Sequence, residues 1–143
     1  MGLDMYLLAE RGRSYTNKEG YEGDFAPDYL GMKPQTVSYE MAYWRKHNRV
    51  HNWFAENLGA SDETSRRVYV DEDDLARIIE ACSKHSTTND TLPGVYGFFF
   101  GDSEAAYTEE ERAYDIESFT KALNFYEDTG EGYFHSIYYE ASW

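Results

Sequence analysis

This chain has little of what disulfide-stabilised, membrane-spanning or nucleic-acid-binding proteins need. Its 143 residues include one cysteine, Cys82, so no internal disulfide can form. That suits a reducing compartment, where thiols stay free. No stretch approaches the roughly 20 apolar residues of a membrane-spanning helix. The opening Met1-Gly2-Leu3-Asp4-Met5 has neither the basic region nor the apolar run of a signal peptide. Gly2 does not read as a myristoylation site, because Tyr6 stands where that motif has Ser or Thr. The expectation is a cytoplasmic protein with no membrane partner. Basic residues are also few: 13 Lys and Arg face 27 Asp and Glu, a net charge of −14. Affinity for nucleic acid rests on neutralising phosphates, so direct nucleic-acid binding is not expected. There is no internal repeat and no low-complexity tract. With no catalytic motif in view, no catalytic residue, cofactor or metal is assigned.

What is present is aromatic and acidic. The chain has 14 Tyr, 8 Phe and 3 Trp. A buried ring removes about 150–250 Å² from water, so a few rings supply much of a core. The length fits one domain over residues 1–143, and the aromatic content argues against global disorder. The charge is lopsided. Residues 1–60 hold seven Lys/Arg against eight Asp/Glu, and residues 61–143 hold six against nineteen. The acids cluster at Asp71-Glu72-Asp73-Asp74 and Glu109-Glu110-Glu111, with pairs at Asp62-Glu63 and Glu127-Asp128.

Periodicity organises the chain. Residues 2–9 predict a strand, with Leu3, Met5 and Leu7 on one face. Residues 11–37 lack periodicity and predict a long loop or an irregular hairpin around Lys18-Glu19-Gly20. Residues 38–58 predict a mostly buried helix. Its stripe is Tyr43, His47, Val50, Phe54 and Leu58, flanked by Trp44, His51 and Trp53, and Gly59 closes it. A short strand at 66–70 leads to Asp71, the cap of a second helix whose apolar stripe is Leu75, Ile78, Ile79 and Cys82. Val-Tyr-Gly-Phe-Phe-Phe at 95–100 predicts a central strand. Thr108 opens a third helix with Glu111 completing a capping box, and Ile116, Phe119, Thr120 and Leu123 facing inward. Residues 133–140 predict a last strand. The element order is then β-α-β-α-β-α-β. The strands are Tyr-rich rather than Val/Ile/Leu-rich, which favours an α+β domain over a parallel sheet. About four mostly antiparallel strands would pack against three helices.

Several residues invite chemistry. His47 and His51 stand four apart, a spacing that lets two imidazoles face one metal. Asn48 replaces the Glu of a metalloprotease motif, and Asp4, Glu40 and His135 are the conceivable further ligands. The plainer reading is two structural histidines. Cys82 lies on an apolar stripe in an acidic region, which favours a buried thiol over a nucleophile. Gly94, Gly97 and Gly101 match no phosphate-binding pattern and read as turn and close-approach positions. Trp44, Arg45, Lys46 and Arg49 form an aromatic-basic strip that suits an anionic small molecule better than a nucleic acid. The acidic clusters sit at helix starts, where they complement the dipole. Capping explains their positions but not a surplus of thirteen acids over bases in residues 61–143, which suits steering toward a basic partner.

The segments Met1-Gly2-Leu3-Asp4-Met5-Tyr6-Leu7, Tyr43-Trp44-Arg45-Lys46-His47, His51-Asn52-Trp53-Phe54, Gly97-Phe98-Phe99-Phe100-Gly101 and Ile137-Tyr138-Tyr139-Glu140-Ala141-Ser142-Trp143 together resemble a group of small bacteriophage and prophage proteins. The resemblance spans the chain apart from the 11–37 segment and carries no catalytic residue. It implies a phage accessory protein acting in bacterial cytoplasm. Small acidic proteins of that kind are often inhibitors of host defence, including anti-CRISPR and anti-restriction proteins. The expected partner is a host protein with a basic, nucleic-acid-binding surface. It would be met by Asp71, Glu72, Asp73, Asp74, Glu109, Glu110 and Glu111, in mimicry of nucleic acid. Two alternatives stand beside this. One is a small enzyme or ligand-binding domain with a pocket near Trp44, His47 and His51; the other is a virion structural or assembly protein.

Overall fold

Alternation of apolar and polar residues builds the centre of the molecule. In the computed structural model, which describes residues 2–13, 26–60, 67–94, 106–128 and 133–142, strand β1 (Asp4–Arg13) lies in the middle of a sheet. It pairs antiparallel with β2 (Thr36–Arg45) on one side and with β4 (Tyr133–Ser142) on the other. The short β3 (Arg67–Val70) pairs antiparallel with β4, so the order is β2-β1-β4-β3. Helices α1 (Asn48–Leu58), α2 (Glu72–Lys84) and α3 (Glu109–Glu127) complete the α+β domain.

The register assigns each face. Met5 lies opposite Trp44 and Ala141, Leu7 opposite Ala42 and Tyr139, and Ala9 opposite Ile137. All of these are buried and form one side of the core. Val50 and Phe54 of α1, Leu75, Ile78 and Cys82 of α2, and Phe119 and Ala122 of α3 fill the other side. Phe54 stacks on Tyr139 with ring centroids 4.0 Å apart, and Trp44 stacks on Phe119 at 5.5 Å. On the opposite sheet face Tyr6 packs beside Tyr43, and Arg67 lies over the ring of Tyr138.

The structure corrects three expectations about elements. The helix expected over residues 38–58 starts only at Asn48; residues 36–45 are strand β2. Ala42 and Trp44 point inward while Tyr43 and Arg45 are exposed, which is a period of two. Aromatic residues are so dense here that a helical projection also finds a stripe. Lys46, at φ 54°, turns the chain from strand to helix. Its N–H donates to the carbonyl of Leu3 at 2.7 Å.

The second concerns only the bounds of the segment expected over 11–37 as a long loop or an irregular hairpin. Strand β1 runs to Arg13 and β2 begins at Thr36, so the two form a hairpin with a long connection. Third, Thr120 is exposed, and the buried stripe of α3 is Asp115, Ser118, Phe119 and Ala122. The elements described therefore run β-β-α-β-α-α-β. The strand expected at 95–100 and the turn around Lys18-Glu19-Gly20 lie outside the described residues; the middle of the described sheet is β1 and β4.

Local signals hold where caps are involved. Gly59 ends α1 with φ 70°, a left-handed conformation that glycine adopts without steric cost. Asp71 accepts from Asp74 N–H at 2.8 Å, and the Asp74 carboxylate accepts from Asp71 N–H at 3.1 Å. Thr108 and Glu111 make the same reciprocal box at the start of α3. Edge strand β2 is blunted at one point by α3: the Tyr114 hydroxyl accepts Tyr43 N–H and donates to Tyr43 C=O, both at 3.1 Å.

Replacing Phe54 with alanine removes the ring stacked on Tyr139 from a fully buried site. We expect a loss of about 3–5 kcal/mol of stability in urea denaturation. A loss under about 1 kcal/mol would show that this stack is not central to the core.

Candidate functional site

The polar centre of the molecule is Asp115, a fully buried carboxylate in α3. Trp44 Nε1–H donates to Oδ1 at 2.7 Å. Oδ2 receives the Tyr107 hydroxyl at 2.5 Å and His47 Nε2 at 2.7 Å. A carboxylate only accepts, so Nε2 of His47 carries the hydrogen. These donors come from β2, from the β2–α1 junction and from the segment before α3. One side chain thus joins the sheet to two helices.

Each donor is placed by local structure. Trp44 points inward by strand alternation. The left-handed Lys46 swings His47 under the sheet as the residue before α1. Tyr107 is oriented by its hydroxyl and by the Arg112 guanidinium, whose Cζ lies 5.2 Å from the ring centroid. Arg112 also closes α2: its Nη1 donates to the carbonyls of Cys82 and Ser83, and its Nη2 to that of His85 at 2.9 Å. Burial, with the carboxylate of Asp115 second, holds the Tyr107 hydroxyl far above its ordinary range. The phenol therefore stays a neutral donor.

His47 and His51 do not share a ligand. His47 faces Asp115, whereas His51 Nδ1 meets the buried Tyr139 hydroxyl at 2.6 Å. Burial raises the Tyr139 phenol well above its usual value, so it too remains protonated. Of the conceivable further ligands, Asp4 accepts from Tyr43 Oη at 2.6 Å and pairs with Arg45, and His135 packs edge-on against Phe125. Among the described residues, no three His, Cys, Asp or Glu side chains gather as a metal site. Cys82 is fully buried, and burial pushes its thiol up to about 12. It is not a thiolate at neutral pH and has the structural character expected of it.

The aromatic-basic strip divides as well. Arg49 donates to the carbonyl of Leu92 at 2.6 Å and lies 3.4 Å from Asp90. Asp90 also faces His85, at 3.2 Å. Trp44 is part of the Asp115 centre, and Arg45 lies on the sheet near Asp4.

The seven acidic residues expected to form one face fall into two groups. Arg112, in the first turn of α3, reaches the last turn of α2. Tyr126, in the last turn of α3, donates to Val70 C=O just before α2. The two helices therefore run antiparallel, and their N-termini lie at opposite ends of the pair. At 1.5 Å per residue, the thirteen residues of α2 separate the ends by about 20 Å. Asp71, Glu72 and Asp73 are exposed at one end, and Glu109, Glu110 and Glu111 at the other. Asp74 is buried; burial, ahead of its other neighbours, raises its carboxyl above the ordinary value. It belongs to the capping box rather than to an outer surface.

Asp115 and Tyr107 do not stand out as site residues in the sequence. Asp115 lies four residues before Phe119 on the buried face of α3, and that spacing is the one available signal. Comparison with protein families, with curated proteins and with solved structures finds no match to this chain.

Two measurements check this centre. Replacing Asp115 with alanine strands three buried donors and should cost about 3–5 kcal/mol in urea denaturation, with Asp115→Asn costing less. A change within about 0.5 kcal/mol for Asp115→Ala would show that the hub carries no weight. The raised Cys82 thiol should be alkylated by iodoacetamide at pH 8 at least about a hundredfold more slowly in the native protein than in urea. Comparable rates would contradict its burial.

Proposed function

We propose that this chain is a binding protein, not an enzyme, and that it meets a basic surface on a host nucleic-acid-binding or defence protein with the outer side of the α2–α3 pair. Helices α2 and α3 contain ten carboxylates and four basic residues. Asp74 and Asp115 are buried, and Glu80 and Glu109 pair with Lys84 and Arg112. The observation that carries the reading is what remains. Glu72, Asp73, Glu110, Glu111, Glu117 and Glu127 are exposed, and no base among the described residues pairs with them. They extend along the helix pair rather than forming a compact patch, which suits an elongated basic groove built for a phosphate backbone. This agrees with the phage or prophage setting that the sequence resemblance implies, and with inhibition by nucleic-acid mimicry. The small-molecule alternative at Trp44, His47 and His51 has less support. Those polar groups are turned toward Asp115 and Tyr139 and bind protein rather than facing a shared space.

The test uses the protein captured from a bacterial lysate at low salt, then purified. Neutralising Glu72, Asp73, Glu110 and Glu117 as Gln or Asn should weaken its binding by at least about tenfold and flatten the salt dependence. Binding that persists at about 1 M salt, where charges are screened beyond roughly 3 Å, would sink the electrostatic reading.

A further inference from the structure

Several stretches of chain meet at His85, the residue that ends α2. Its N–H closes the helix on Ala81 C=O at 3.2 Å, and its own C=O accepts Arg112 Nη2 of α3. The imidazole lies against the Tyr107 ring, with centroids 5.4 Å apart, and the side chain is 10% exposed. Its Nδ1 is shut off from water and lies 3.2 Å from Asp90 Oδ1, without the alignment of a hydrogen bond. Arg49 of α1 meets that same oxygen at 3.4 Å. Arg49 also holds Leu92 C=O, and Asn52 holds Pro93 C=O. His85 thus sits where the end of α2 and the 86–93 segment are tied to α1 and α3.

The charges around this ring favour its neutral form. Among the described residues two guanidiniums face it, Arg49 from α1 and Arg112 from α3. The one carboxylate there is Asp90, which is exposed and already engaged by Arg49. On its own helix, Lys84 is exposed and pairs with Glu80, and the Cys82 thiol is neutral. Tyr107 presents a neutral phenol held by Asp115. A proton on His85 puts a third cation into a nearly closed site with one shared counter-charge. Burial, and then Arg49, hold the imidazole below its ordinary value of 6.5. The folded site therefore takes up a proton less readily than an open histidine does. Its stability is complete above about 6.5 and is lost as pH falls below that. We propose that His85 is the pin of an acid-released clasp, in which protonation of its imidazole frees the last turn of α2 and the 86–93 segment from α1 and α3. This device does not rest on the reading given under Proposed function.

The test is amide hydrogen exchange by NMR on the full chain at about pH 7.5 and about pH 5, each rate divided by that of an unprotected amide at the same pH. A local readout is needed because His135 is also held low, by burial and by Arg11. The N–H groups of His85, Ser86 and Asn89 are bonded to the carbonyls of Ala81, Asn89 and Ser86. They should lose protection by at least about threefold at the lower pH. An imidazole wholly barred from the proton sets a ceiling of about thirtyfold. The Gly59 N–H, which closes α1 on Ala55, should change by less than about twofold. His85→Gln keeps a polar side chain without the charge and should remove the pH dependence. The ring protons of His85 in the parent should titrate with a midpoint below 6.5. If the variant does not fold, this midpoint and the parent's exchange rates decide the matter. The inference is overturned if protection at His85, Ser86 and Asn89 holds at the lower pH, or if it falls equally at Gly59. An equal loss in His85→Gln, or a ring midpoint at 6.5 or above, overturns it too.

Discussion

The fold depends on a carboxylate that water does not reach. Taking such a group out of water costs several kcal/mol unless donors replace the solvent. Asp115 has three, and each comes from a different stretch of chain. Satisfying it requires β2 to present Trp44 inward, the chain to reverse at Lys46, and Tyr107 to reach across before α3 begins. The same constraint orients the indole of Trp44, which then stacks on Phe119 one helical turn beyond Asp115. Apolar packing at the sheet–helix interface and polar satisfaction at the hub are therefore one arrangement, and disturbing either disturbs the other.

Tyrosine performs much of this joining. A tyrosine adds large apolar area and one hydroxyl that must find a partner when buried. Here the hydroxyls repeatedly bridge elements. Tyr107 reaches Asp115, Tyr139 reaches His51, and Tyr114 covers the β2 edge at Tyr43. Tyr126 donates to Val70 and accepts from Ile137, tying α3 to β3 and β4. A core with these side chains in place of further Leu, Ile and Val is held by directional contacts as well as by burial. That gives a chain with many tyrosines and a negative overall hydropathy a defined interior.

The carboxylates serve separate purposes. Asp71, Asp74 and Glu111 cap helices, Asp115 organises the core, and Glu80 and Glu109 pair with neighbouring bases. Glu72, Asp73, Glu110, Glu117 and Glu127 along α2 and α3 pair with no base among the described residues. Antiparallel packing spreads them over the length of the helix pair instead of gathering them at one point. The sheet's outer side differs, with tyrosines beside Asp4–Arg45 and Glu10–Arg67 pairs. The exposed turn at Tyr29–Met32 is a third kind of surface, apolar and backbone-strained.

Features that depend on a few adjacent residues were legible beforehand. Asp71 and Thr108 open their helices because a side-chain oxygen meets an N–H three residues on, and Gly59 closes α1 because only its own φ is at stake. The α+β class, with four antiparallel strands and three helices, followed from Tyr-rich alternating segments. Residues 38–45 read as helix from sequence because Tyr43 and Trp44 satisfy a helical stripe and a strand face equally well. Pairing with Asp4–Glu10 across the sheet decides between them, and that pairing is a long-range contact. For the same reason the four-residue spacing of His47 and His51 does not by itself separate a shared ligand from the plainer reading of two structural histidines; residues 60 to 90 positions away turn them to Asp115 and Tyr139. Composition and local hydrogen bonding thus determined the class of fold, the helix ends and the excess of negative charge. Only the tertiary structure decided which acids are buried, which are exposed and how far apart they lie, because burial and antiparallel packing are properties of segments that meet in space.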